Sequence, residues 1–149
     1  MATIVMLMST DQDIIDTQLS PQWGPAQARY SWNQVSAMDL GISTGHTIVV
    51  IAHGNNQLIG NSQGQPNIDA ATFLALIQGN MQNGAVPAAI FISACGETIA
   101  GFAAGVRIAA EQNQVWANTR IFGHCNPVAG PVPPPNTLLN WVEIYQKKK

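Results

Sequence analysis

The chain has 149 residues, of which 46% are apolar and only 9% charged, with a net charge of −2. That is enough apolar material for one domain with its own core, spanning 1–149, and it excludes a disordered tail. Outside Lys147, Lys148 and Lys149 there is no basic patch, so the chain lacks the electrostatic footprint of a nucleic-acid binder.

The opening MATIVMLMSTDQD has neither a positive leading segment nor an A-x-A cleavage pattern, and residues 3–8 read as a first buried strand. No apolar run reaches the ~20 residues that span a bilayer. Two cysteines make no disulfide framework and suit a free-thiol protein in a reducing compartment. The expectation is a cytoplasmic protein, or one exported without a signal peptide, with no membrane partner.

SPQWGP is loop, and Pro25 is predicted to open a helix that runs to Leu40. DLGISTGH is a turn. Residues 47–52, rich in β-branched side chains, form a second strand. HGNNQLIGNSQGQPN is a long loop. Asn67 or Asp69 then caps a helix with Ala70, Phe73, Leu74 and Ile77 inward and Gly79 at its end. Residues 88–93 form a third strand. Thr98 caps the best helix, in which Ile99, Phe102, Ala103, Val106, Ala109 and Ala110 recur at three-and-four spacing, with Arg107 and Glu111 facing out. Residues 119–123 form a fourth strand, and the proline-rich HCNPVAGPVPPP is extended chain. Asn136 caps a final short helix with Leu138, Trp141, Val142 and Tyr145 on one side, whose negative end the terminal lysines would complete.

Apolar strands separated by helices need crossover connections, so the prediction is an α/β fold: a three-layer α/β/α sandwich on a mostly parallel sheet of four to six strands. In such sheets the functional crevice lies beyond the carboxyl ends of the strands. His53 is predicted to be the first residue past one strand and Cys95 to lie just past the next, so neighbouring strands about 4.8 Å apart would open both onto one rim. Cys95 precedes a helix N-terminus, which favours a thiolate. His53 is then the candidate base, taking the thiol proton and returning it to a leaving amine. Gly54 would admit a substrate carbonyl, and its N–H, with that of Cys95 or Gly96, is a candidate oxyanion donor. Each residue also has a plain structural reading: a cysteine at an apolar strand end is commonly a small core hydrophobe.

VVIAHGN and IFISACGE resemble the signature of the caspase-like cysteine peptidase clan: a hydrophobic block ending in His-Gly, a spacer, and a hydrophobic block ending in Ala-Cys. That clan includes caspases, legumain, gingipains, clostripain, separase, CHAT domains and the self-cleaving protease domains of bacterial toxins. SACGET is most similar to the CHAT and bacterial versions, and the likeness covers residues 48–102. The resemblance implies a caspase-type sandwich and peptide hydrolysis, self-processing included, through an acyl-enzyme on His53 and Cys95. It implies a peptide or protein substrate, no cofactor and no metal. It also implies a first substrate pocket built from Asp11, Asp13, Ser93 and Glu97, whose acidic groups would favour a basic residue before the cut. Asp11 and Asp13 have a simpler role as solvating loop residues, and Glu97 as a first-turn acid. No third residue that would orient His53 can be assigned.

Other readings of the same residues stay open. His46 precedes its strand and reads as a turn residue. His124 and Cys125 end the fourth strand on the same rim as the pair. They are an ordinary strand end, or half of a zinc set, or a source of a Cys95–Cys125 disulfide; the spacing matches no standard zinc pattern. Cys95 with His124 fits an amidotransferase or DJ-1-like plan, although SACGE lacks the glycine two before the nucleophile. A catalytically inactive caspase-like domain that binds a partner is the non-enzymatic alternative.

Overall fold

A computed structural model describes residues 3–54, 57–61, 66–96, 100–124, 132 and 141–144. In chain order the strands are β1 (Thr3–Leu7), β2 (Ala28–Tyr30), β3 (Thr47–Gly54), β4 (Ile59–Gly60), β5 (Asn67–Ile68), β6 (Ala89–Gly96), β7 (Arg120–His124) and β8 (Trp141–Ile144). The helices are α1 (Gln12–Ile15), α2 (Trp32–Ala37), α3 (Ala70–Gly79) and α4 (Ala100–Gln112). One sheet runs in the order β2-β1-β3-β6-β7-β8, and its first five strands are parallel. β8 closes it antiparallel to β7, while β4 and β5 form a short antiparallel arm on the end of β3.

The continuous apolar runs become central strands because both faces are covered. Strand alternation sends Ile4, Met6, Ile48, Val50, Ile90 and Ile92 to one face, where Val35 of α2, Phe73 and Ile77 of α3, and Phe102 and Val106 of α4 complete the larger core. Val5, Leu7, Val49, Ile51, Phe91 and Phe122 take the opposite face, under Ile14 of α1, Val132 and the partly buried Leu19 and Trp23. Aromatic packing organises this second core: Phe91 stacks on Phe122 at 4.2 Å and meets Trp23 and Trp141 edge-on, each at 5.0 Å.

Several expectations are corrected. β3 and β6 run past the predicted limits, so His53 and Cys95 are the penultimate residues of their strands and not the first residues beyond them. The segment after Pro25 is not one helix. Residues 28–30 pair with β1, and α2 starts only at Trp32, capped by Ser31 in a reciprocal box with Gln34. The loop between His53 and Asn67 contains β4 and part of the arm it builds. Where a last helix was predicted, residues 141–144 are strand: Trp141 is buried against Phe91, and Glu143 holds Arg120 through paired bonds of 2.8 and 3.0 Å. Asn136, Leu138, Tyr145 and the terminal lysines lie outside the described residues.

Arg107 does not face out. It is 4% exposed, and its two terminal nitrogens donate to the Trp116 carbonyl at 2.8 Å and to the Thr119 carbonyl. Trp116 has a left-handed backbone (φ 60°), as does Gln114 (φ 57°), and this tight return from α4 to β7 leaves carbonyls inside that a buried guanidinium satisfies. Burial lowers its pKa, and the charges of Glu111 and Glu143 oppose that shift. The α3 prediction holds: Asp69 is the cap, accepting from the Thr72 N–H at 2.8 Å, and that bond lowers its carboxyl pKa. Thr98 and Ile99 lie outside the described residues. Among the described residues, no helix is long and apolar enough to cross a membrane.

Candidate active site

β3 and β6 are parallel neighbours in register over their whole length, from Thr47 opposite Ala89 to Gly54 opposite Gly96. His53 is therefore the register partner of Cys95, at the carboxyl end of the two most central strands. Register partners in a parallel pair share a face of the sheet, and for His53 that is the face of Val49, Ile51 and α1.

The second core sets up what meets His53. Ile14 is 1% exposed and inserts α1 beneath the ends of β1 and β3. The flanking acids are thereby carried to the rim. Asp13 brings its two carboxylate oxygens to 3.0 and 2.8 Å from His53 Nε2, and Asp11 brings one to 3.5 Å. An ionised carboxylate only accepts hydrogen bonds, so Nε2 carries a proton and donates it, and Nδ1 is the basic nitrogen of the neutral ring. Among the described residues Nδ1 has no hydrogen-bond partner. The side chain of His53 is 18% exposed, against 60% for Asp13.

Asp11 and Asp13, expected in a substrate pocket, thus stand against His53, and Asp13 accepts a hydrogen bond from its ring for which the sequence offered no candidate. Only the pairing of β1 with β3 could have revealed it, because forty positions separate Asp13 from His53 in the chain. The same three residues bring one ligand atom each within 4.8 Å of one another. A cation there would have to displace the proton His53 shares with Asp13.

The other predicted residues fall as follows. Gly54 is forced by packing: a Cβ there would lie 2.7 Å from the Leu58 carbonyl oxygen and 2.8 Å from the Ile59 side chain, where the chain turns back into β4. Gly54 is also paired on both sides, with Gly96 of β6 and Ile59 of β4. Gly96 ends β6, whose register with β7 runs from Ala89 opposite Arg120 to Ile92 opposite Gly123. Ser93 is level with Ile51 and buried (6% exposed), two residues before Cys95 on β6. His124 ends β7, opposite Trp141 of β8. His46, at the other end of β3, bonds Ser43 through Nδ1 as a turn residue. Glu97 and Cys125 lie outside the described residues. An open cleft among Gln78, Met81, Gln82, Val86 and Val115 sits near the amino end of β6, away from His53.

No known family, curated protein or solved structure matches this chain. The site has to be read from its own chemistry.

Proposed function

We propose that the protein is a cysteine endopeptidase with a caspase-like three-layer sandwich, acting through Cys95 as nucleophile and His53 as base. The observation that carries this reading is the register partnership of His53 with Cys95 at the carboxyl ends of adjacent parallel strands. The hydrogen bond from His53 Nε2 to Asp13 supports it, because it leaves Nδ1 as the nitrogen that takes the thiol proton.

In this mechanism His53 Nδ1 accepts the Cys95 proton, and the thiolate attacks the scissile carbonyl carbon. The carbonyl π electrons move to oxygen, and a backbone N–H at the end of β6 receives the oxyanion. In a parallel strand the amides of successive residues point to alternate sides, so one of Cys95 and Gly96 directs its N–H away from β3. Gly54, flanked by strands on both sides, is the weaker donor. Collapse of the tetrahedral intermediate breaks the C–N bond as imidazolium protonates the leaving amine. Water then repeats the sequence on the thioester, releasing acid and thiol. With Asp11 and Asp13 engaged by His53, the acid left to favour a basic residue before the cut is Glu97.

The test is a panel of peptides ending in different residues before a fluorescent amide, applied to the wild type and folded variants. Cys95→Ala abolishes turnover and His53→Ala removes several orders of magnitude, because base and nucleophile act as a unit. His124→Ala costs far less. Near-wild-type turnover in His53→Ala overturns the reading; greater sensitivity to His124 than to His53 favours the amidotransferase-like plan. Silence across the panel, with partner binding unchanged in Cys95→Ala, favours the inactive binding module.

A further inference from the structure

We infer that Asn61 is a positioning residue that fixes the ring of His53 by clasping the loop that carries its carboxylates. Asn61 follows β4. Its Oδ1 accepts from the Ser9 hydroxyl at 2.6 Å and from the Thr10 N–H at 2.7 Å, while its Nδ2 donates to the Thr10 hydroxyl oxygen at 2.7 Å. The Ser9 hydroxyl in turn accepts from the Asp11 N–H at 3.1 Å, and Ser9 is 1% exposed. One side-chain amide therefore meets both residues that immediately precede the acid pair.

The other end of Asn61 is held as firmly. Its N–H donates to the Pro66 carbonyl at 3.0 Å, closing the β4–β5 arm, and the preceding Gly60 is the register partner of His53 itself. The contacts make a closed circuit: His53 to Gly60, Gly60 to Asn61, Asn61 to Ser9 and Thr10, and from there through Asp11 and Asp13 back to the imidazole. Such a circuit is needed because α1 is only four residues long, has one buried side chain, Ile14, and presents an Asp13 carboxylate that is mostly exposed. An exposed acid holds an imidazole in one orientation only if its backbone is held, since side-chain entropy otherwise disperses the pair. The clasp supplies that restraint across 52 positions of sequence.

The inference rests on His53 being the base, and its test reads the ring directly. Long-range proton–nitrogen correlation spectra report which nitrogen of His53 carries the proton at neutral to mildly alkaline pH. The wild type is expected in the Nε2–H form. Loss of the clasp shifts the Nε2–H to Nδ1–H ratio about tenfold in Asn61→Ala. Asn61→Asp still accepts from the Ser9 hydroxyl and the Thr10 N–H, and the Thr10 hydroxyl can turn to donate to its second oxygen, so it keeps the wild-type ratio. Where peptide turnover is measurable, Asn61→Ala lowers kcat with KM unchanged. A wild-type ratio in folded Asn61→Ala overturns the inference. If that variant does not fold, Thr10→Val removes only the bond from Asn61 Nδ2, and an unshifted ratio there overturns it equally. Absence of cleavage by the wild type would count against the dyad, while the ring ratio still decides for or against the clasp.

Discussion

Removing the acids beside His53 gives opposite signs under two explanations of why they are there, and Cys95 alkylation reads the sign without a known substrate. A charge-assisted hydrogen bond is worth about 1.5–3 kcal/mol when protected. Asp13 is 60% exposed, which brings its bond to His53 down to about 1 kcal/mol. Asp13→Ala should then slow the reaction of Cys95 with iodoacetamide about fivefold, since each 1.4 kcal/mol is a factor of ten. Asp11, at 3.5 Å and 25% exposed, can move in behind it, so Asp11→Ala alone changes the rate about twofold or less. The double variant loses more than the product of the singles, because the second acid is the first one's substitute. A purely electrostatic role has the reverse consequence: two negative charges disfavour a nearby thiolate, and their removal would speed alkylation. The assay is a timed reaction at constant pH with peptide mass mapping, using Cys125 as the internal reference and circular dichroism to verify folding. A double variant that reacts as fast as wild type, or faster, while His53→Ala is slow, refutes the claim that these acids act through His53.

Other outcomes follow from the fold. Arg107→Ala strips two buried carbonyls of their donors and should cost about 3 kcal/mol, read as a lower urea midpoint at unchanged slope; a loss below about 1 kcal/mol would mean that water replaces the guanidinium. Gly60→Ala should cost about 2 kcal/mol or more, because its φ is +145° and a Cβ there would lie 1.9 Å from the Pro66 carbonyl oxygen. Since Gly60 pairs with His53, it should slow Cys95 alkylation as well; an unchanged rate would separate the arm from the site. Asp69→Ala should cost about 1 kcal/mol of stability at pH 7. The folded-state pKa of Asp69 is lowered, so its contribution is complete above the ordinary value of 3.8 and disappears as pH falls through the folded value. Denaturation of both proteins at pH 7 and near pH 2 checks this, and an equal difference at both pH values would show that ionisation of the cap is irrelevant.

The central strands were legible because burial on both faces leaves continuous apolar runs, and the His53–Cys95 seam followed from crossover logic alone. The long-range satisfaction of polar groups leaves no such local pattern. Arg107 sits at an outward position of the α4 pattern, and nothing local announces that Gln114 and Trp116 adopt left-handed backbones whose neighbouring carbonyls require it. Trp141, Val142 and Tyr145 have helical spacing, yet four residues fit either period, and the aromatic cluster around Phe91 decides for strand. The start of α2 is legible in Ser31 and Gln34, the two ends of a capping box. Asp13 could not be found by spacing, because its relation to His53 exists only once β1 lies beside β3.

Under the proposed mechanism, that central seam also governs when the site can first form. The pairings of Thr3 with Thr47 and of Thr47 with Ala89 each close a segment more than forty positions long, whereas the β3–β4 contacts are local. Chain-closure entropy opposes the long pairings first, and topologies of this kind fold in milliseconds to seconds rather than microseconds. During synthesis β3 leaves the ribosome together with its histidine, the loop acids and the Asn61 clasp, all within the first half of the chain. The strand bearing the thiol arrives afterwards. A nascent chain would therefore carry His53 and its acids before Cys95, and the proposed dyad would be complete only at one late step, when β6 docks along β3 and supplies both the missing strand of the core and Cys95.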